Sequence, residues 1–246
     1  MITVKEIANK TMNSEKKAMA KNDYFAFYVG RPISYVFTIP FLYSGLTPNI
    51  ISLLSIIPLI IGFVIFCFST MKSSLVIGWI MFFLWNILDG VDGNVARYKK
   101  QFSKIGSVYD AMSGYLAMVL TFFSMGISSA HFVGIVDRFV TVDKNIYIIL
   151  GALSGIFVIF PRLIMHKAIS TMMNTEYVKS IKNKNEFSVV KIIALNLGSV
   201  TGGAQVFMLI SIMLNIMDLY TVGYFIFNLL IMIVSIYSIL KNKYYI

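Results

Sequence analysis

The chain has 246 residues, of which 58% are hydrophobic and only 13% charged, with mean hydropathy +0.79 and a net charge of +10. Apolar runs of about 20 residues exclude an ordinary soluble domain and indicate an all-α, polytopic membrane protein. One cysteine, Cys67, and two histidines, His131 and His166, exclude an intramolecular disulfide and a thiolate- or histidine-based metal centre, so any metal would have oxygen ligands.

Residues 1–23 carry five lysines and no apolar core, so they are read as a cytoplasmic helix or flexible arm and not as a cleavable signal. From Tyr24 to Tyr43 the chain is aromatic and interrupted by Arg31, Pro32 and Pro40. An interfacial segment along the cytoplasmic leaflet fits this composition, and an extra span is the competing reading. Thr47-Pro48 reads as a cap and first helical position. Six spans are then expected. They cover Ile50–Phe68, Leu75–Leu88, a third from Gly106 through Ala111 to Ala130, Ile146–Met165, Val189–Leu214 and Thr221–Leu240.

Between them, Lys72 and two serines should form a tight turn, Pro161 should break the fourth span near its end, and Asp218 should lie in the last connection. A polar connection with Lys167, Lys179, Lys182 and Lys184 precedes the fifth span, where Gly202 and Gly203 are read as packing contacts. Six spans put both termini on one side, together with 18 of the 21 basic residues. The positive-inside rule places that side in the cytoplasm and explains the basic excess without nucleic acid. Residues 1–45 thus form an N-terminal arm and interfacial segment, and residues 46–246 one membrane domain.

Charge is concentrated where the second span ends and the third begins. Asp89 and Asp92 are three residues apart and share a helix face, and after a loop of about eight residues Asp110 can face back toward them. Converging carboxylates in a low-dielectric setting repel one another, and a divalent cation is the simplest way to keep them ionised. Hard oxygen ligands suit Mg²⁺, Mn²⁺ or Ca²⁺. Gly93 and Gly106 leave room for a ligand, and Arg97 is a fixed cation suited to phosphate oxygens. Carboxylates, metal and arginine at a cytoplasmic membrane face suggest phosphoryl transfer on an anionic, lipid-linked substrate. A buried structural ion-pair network and a small six-span transporter are the competing readings. Arg162, His166 and Lys167, at the end of the fourth span, are either membrane anchors or a cationic pocket for an acceptor phosphate or lipid headgroup.

The stretch resembles the signature of the CDP-alcohol phosphotransferase (CDP-alcohol phosphatidyltransferase) family, D-x2-D-G-x2-A-R-x8-G-x3-D-x3-D. Asp89, Asp92, Gly93, Ala96, Arg97, Gly106 and Asp110 match it at the right spacing. Seven fixed matches arise by chance roughly once in 10⁹ starts at ordinary residue usage. The resemblance implies two divalent ions, Mg²⁺ or Mn²⁺, held by Asp89, Asp92 and Asp110. It also implies a pocket for the cytidine diphosphate part lined by Gly93, Ala96, Arg97 and Gly106, and a homodimer in the cell membrane.

The implied reaction moves a phosphatidyl or other substituted phosphoryl group from a CDP-alcohol, CDP-diacylglycerol or a soluble one, to an acceptor alcohol. The last motif position departs, because Gly114 stands where the family has the aspartate proposed as base. No base is carried over: either Asp110 serves as both metal ligand and catalytic carboxylate, or the metals alone activate the acceptor hydroxyl, while Tyr109 and Tyr115 are poor bases at neutral pH. The alternative is an impaired or inactive member that binds a CDP-lipid without turnover.

Overall fold

The computed structural model describes residues 2–172 and 188–241, and among these there are helices but no strand. Helices α1 (Val4–Thr11) and α2 (Ser14–Ala20) lead through a π-helical turn (Ala26–Gly30) into α3 (Arg31–Tyr43). The long helices are α4 (Pro48–Phe68), α5 (Lys72–Lys99), α6 (Gly106–His131) and α7 (Lys144–Met172). After residues 173–187, which hold Lys179, Lys182 and Lys184 and lie outside the described residues, come α8 (Val189–Gly198), α9 (Gly203–Leu214) and α10 (Met217–Leu240).

Five of these helices are long and apolar enough to cross a membrane, and α8 with α9 forms a sixth candidate span bent by 54°. The chain is therefore an all-α, multi-pass membrane protein. The fifth span is broken where an apolar run alone suggests a continuous helix. Gly203 explains why: a Cβ there would stand 2.5 Å from the Asn196 carbonyl oxygen, so only glycine lets the two helix ends close on each other. Helix α3 continues the π-helical turn without a break, but the stretch carries Arg31, Pro32 and Pro40 and is not among the helices long and apolar enough to cross a membrane.

Several boundaries differ from the sequence reading. Helix α4 starts as expected, with the Thr47 side chain accepting from the Ile50 N–H at 3.4 Å and Pro48 in the first turn. Lys72 opens α5 instead of turning the chain, because residues Ser69–Met71 make the reversal. Helix α7 runs through Pro161 to Met172, so that proline does not end the span. Asp218 lies in the first turn of α10, fully buried, where its carboxylate accepts from the Val136 N–H at 2.6 Å and the Leu219 N–H at 2.8 Å. Asp137, paired with Lys144 and bonded to the Tyr147 hydroxyl at 3.0 Å, completes that end of the bundle.

The main core joins α4, α5, α6, α9 and α10 through Phe66, Phe82, Trp85, Phe122, Met208 and Tyr220. A second cluster, with Ile7, Tyr35, Ile51, Val91 and Val95, seats the N-terminal arm on the far end of α5. Helices α6 and α7 touch backbone to backbone, since a Cβ on Gly126 would meet the Tyr147 carbonyl at 2.5 Å and the Gly151 Cα at 2.9 Å. With lipid as solvent, such close approach supplies dispersion contacts where burial from water cannot. Gly126→Ala should therefore lower the unfolding midpoint in detergent by an equivalent of about 1–3 kcal/mol. Gly223→Ala, where a Cβ meets nothing within 4 Å, should not lower it. Thermal unfolding of the two variants side by side checks this.

Candidate functional site

Helix α5 has 28 residues and is about 42 Å long, against a hydrocarbon core of about 30 Å. Its final turns can thus carry charge beyond the apolar region while remaining helical. The helix closes on Lys100, whose left-handed backbone (φ 54°) lets its N–H and that of Gln101 reach the Ala96 carbonyl. Six residues later α6 begins at Gly106, whose N–H is held by the Ser103 hydroxyl at 3.0 Å. Ser103 is also bonded to Asn49 in the first turn of α4, at 3.3 Å. A Cβ on Gly106 would stand 3.1 Å from the Asn49 amide oxygen and 3.0 Å from the Ser103 hydroxyl, so glycine is what lets the start of α6 abut α4.

This reversal brings Asp110 of α6 onto Asp89 and Asp92 of α5. One carboxylate oxygen from each lies within 4.8 Å of the other two. Asp92 is buried, Asp89 half-buried and Asp110 exposed, so the cluster opens toward solvent on the Asp110 side. Among the described residues no Lys, Arg or His lies within 4.0 Å of these carboxylates. Three like charges in that space repel, and a cation among them removes the repulsion. The donor set fits a divalent ion, because ligand oxygens around one ion are up to about 4–5 Å apart at metal–oxygen distances of 2.1–2.6 Å.

Beneath the cluster lies a chain of buried hydroxyls. Ser52 donates to Asp92 Oδ2. Ser55 donates to the Ser52 carbonyl at 2.7 Å, which leaves Ser113 to donate to Ser55 Oγ at 2.9 Å while it accepts from Trp85 Nε1 at 2.8 Å. These bonds pin α4, α5 and α6 about one turn below the aspartates and fix the rotation of each helix. The sequence reading missed this floor. Its signal was the polar pair Ser52 and Ser55, three apart on one face of an otherwise apolar helix.

Arg97 folds back along its own helix. A Cβ on Gly93 would stand 2.9 Å from Arg97 Nη2 and 3.0 Å from Nη1, so the missing side chain at Gly93 is filled by the guanidinium one turn on. Nη2 donates to Asn94 Oδ1 at 3.2 Å, and Asn94 Nδ2 reaches Ser34 and Thr38 of α3 at 3.2 and 3.1 Å. Ala96 is half-buried on the same stretch.

At Gly114 a Cβ would meet nothing within 4 Å, so the position is open and not packed against a neighbouring helix. The next residue, Tyr115, is hydrogen-bonded through its hydroxyl to His166 Nδ1 at 2.8 Å, and Arg162 is within electrostatic reach of that hydroxyl. Arg162, His166 and Lys167 are exposed on α7, and among the described residues no hydrogen bond or ion pair joins them to the aspartates.

The family model of the CDP-alcohol phosphatidyltransferases matches residues 45–234, most of the chain and all of this cluster. No curated protein matches the chain.

Because the space at Gly114 is open and lies one helical turn beyond Asp110, Gly114→Asp should be accommodated with an unfolding midpoint within about 0.5 kcal/mol of the parent. It should also tighten Mn²⁺ binding by adding a fourth oxygen donor. Thermal unfolding and Mn²⁺ titration by electron paramagnetic resonance test the two parts.

Proposed function

The chain belongs to the CDP-alcohol phosphatidyltransferase family, which makes it a membrane-embedded transferase of lipid synthesis with a CDP-alcohol donor and an alcohol acceptor, and we propose that Asp89, Asp92, Asp110 and Arg97 form its active site. The observation that carries this reading is the convergence of the three carboxylates within 4.8 Å without a cationic partner among the described residues. Asp89, Asp92 and Asp110 would hold two divalent ions, Mg²⁺ or Mn²⁺, which when bound neutralise the donor's diphosphate and stabilise charge on the leaving group.

The protein's own groups have separate tasks. Ser52 donates to Asp92 Oδ2 and so fixes the orientation of that carboxylate. Arg97, its fork set by Asn94 and its body fitted into the gap at Gly93, orients phosphate oxygens. Ala96 and Gly106 complete the wall of the cytidine diphosphate pocket. In the transfer, the acceptor oxygen bonds to the phosphorus of the substituted phosphate and the bond to the bridging oxygen breaks, so that CMP leaves with that oxygen. Asp110, the exposed member of the three, takes the hydroxyl proton.

The preferred donor is CDP-diacylglycerol, since the site sits on membrane helices. The distribution of 18 of 21 basic residues supports a cytoplasmic site and cytoplasmic termini in the cell membrane. Residues 1–45 are read as the arm and 46–246 as the catalytic membrane domain, working as a homodimer. Arg162, His166 and Lys167 are assigned to an acceptor phosphate or headgroup, since the Tyr115–His166 bond lies just past open Gly114.

The second reading, favoured by Gly114 alone, is a member that binds a CDP-lipid without turnover. CMP release with Mg²⁺ or Mn²⁺, measured across paired donors and acceptors, separates the two. Asp92→Asn and Asp110→Asn should each reduce it at least about 10³-fold, by losing a metal ligand. Release that persists in both variants would remove the assigned roles. Gly114→Asp should raise turnover if a base on that turn is limiting, and leave it unchanged if Asp110 suffices.

A further inference from the structure

We propose that Ser34 and Thr38 of α3, which lie ahead of the segment matched by the family model, are positioning residues for Arg97: their hydroxyls fix the direction of the Asn94 amide that holds the guanidinium. This deepens the transfer reading above and rests on it. A hydroxyl has one proton to give. Ser34 donates its proton to the Arg31 carbonyl at 2.9 Å, and Thr38 donates to the Ser34 carbonyl at 2.6 Å. Both protons are spent within α3, so toward α5 each oxygen can only accept. Asn94 Nδ2 has two N–H groups and meets both oxygens, Ser34 Oγ at 3.2 Å and Thr38 Oγ1 at 3.1 Å. The amide therefore has one direction in which every group is matched, with Oδ1 turned to Arg97 Nη2 at 3.2 Å. Reversed, Oδ1 would face two oxygens with no proton between them, and Nδ2 would face a guanidinium that can only donate.

Burial and charge make that direction matter. Ser34, Thr38 and Asn94 are each at most 3% exposed, so a lost partner is not replaced by bulk water. The acceptor offered to Arg97 is a neutral amide oxygen, which holds one N–H of the fork without cancelling its charge. Among the described residues no carboxylate lies within 4.0 Å of Arg97, so that charge stays available to phosphate oxygens. The seat of α3 does not need the two hydroxyls. A Cβ on Gly90 would stand 2.9 Å from the Ser34 Cβ, so the helices meet there by shape, and Tyr35 and Leu42 pack with Val91 and Val95. What the two oxygens add to that packing is orientation.

The test uses the full chain in detergent and measures equilibrium binding of CDP with Mg²⁺ and of Mn²⁺ alone. Ser34→Ala combined with Thr38→Val removes both oxygens and keeps most of the shape. The pair should weaken CDP binding about tenfold, the loss of one charge-assisted hydrogen bond, and leave Mn²⁺ binding unchanged. Each single variant keeps one oxygen and should lose less, and Thr38→Ser, which keeps the hydroxyl, should bind CDP as the parent does. In an Arg97→Gln background, itself weaker for CDP, the pair should cause no further loss, because the hydroxyls act through Arg97. Unchanged CDP affinity in the pair, or in both single variants where the pair does not fold, overturns the proposal. So does a further loss of the same size in the Arg97→Gln background, and so does a parallel loss of CDP and Mn²⁺ binding, which marks α3 as scaffold. A parent chain that binds no CDP, or an Arg97→Gln chain that binds it as tightly as the parent, overturns the transfer reading's use of Arg97 and this proposal with it.

Discussion

The arrangement that the site end of this molecule must support is three carboxylate oxygens within 4.8 Å of one another on membrane-spanning helices. Bare carboxylates at such a place are costly through both desolvation and mutual repulsion. Among the described residues no lysine or arginine relieves that cost at ion-pair distance. The surrounding structure holds the backbone so that the carboxylates cannot move apart. The hydroxyl chain from Trp85 through Ser113 and Ser55 to Ser52 locks three helices in rotation. The Ser103–Asn49 contact sets how closely α6 starts to α4. Rigidity of this kind suits a group that could hold a cation, because the repulsion is met during folding and a cation would release it.

The N-terminal arm belongs to the same scaffold. Tyr98, next to Arg97, donates to Glu6 of α1 at 2.6 Å, and Lys10 bonds Glu6 at 2.8 Å, which holds the Glu6 carboxyl below its ordinary pKa. Asn196, just before the break between α8 and α9, donates to the Asn22 carbonyl at 2.7 Å and accepts from the Tyr24 N–H at 2.8 Å. The arm is therefore tied to α5 and to the kinked span, and α3 is seated between those ties. A segment that composition describes only as aromatic and broken by proline is bonded to α5 through Asn94, the residue that also holds the Arg97 fork.

How much of this was legible depended on how local the cause was. Helix starts such as Thr47-Pro48, and the shared face of Asp89 and Asp92, follow from spacings within one turn. The approach of Asp110 followed from a short reversal between two apolar runs. Pro161 misled because a proline forbids only its own hydrogen bond, and a long packed helix can continue past it. The break at residues 199–202 was hidden because hydropathy does not change across it, and only the contact between Gly203 and the Asn196 carbonyl marks it. Gly93 was read as room for a ligand, and its partner proved to be the Arg97 side chain, a contact that needs rotamers and not spacing. Asp218 could not be placed because its partners, Val136 and Asp137, are some 80 residues away in sequence.

The two ends of the bundle show why an aspartate in a membrane helix is not by itself a sign of chemistry. Asp218 is fully buried, yet its oxygens accept backbone N–H groups of a neighbouring turn and of its own helix, and Gly134 leaves its side chain no spare room. Every acceptor there has a donor from the protein, so the group caps a helix and fastens a loop. At the other end Asp92 receives the Ser52 hydroxyl and the N–H of the next residue, Gly93, while Asp110 stands exposed, and Arg97 is turned onto a glycine and an asparagine. Acceptor capacity is left over, it converges, and it faces an opening. That unspent capacity, and not charge in an apolar setting, is what separates a site from a structural acid. Gly114 adds no acceptor and closes no space, so it leaves intact a cluster of three carboxylates that could hold a cation.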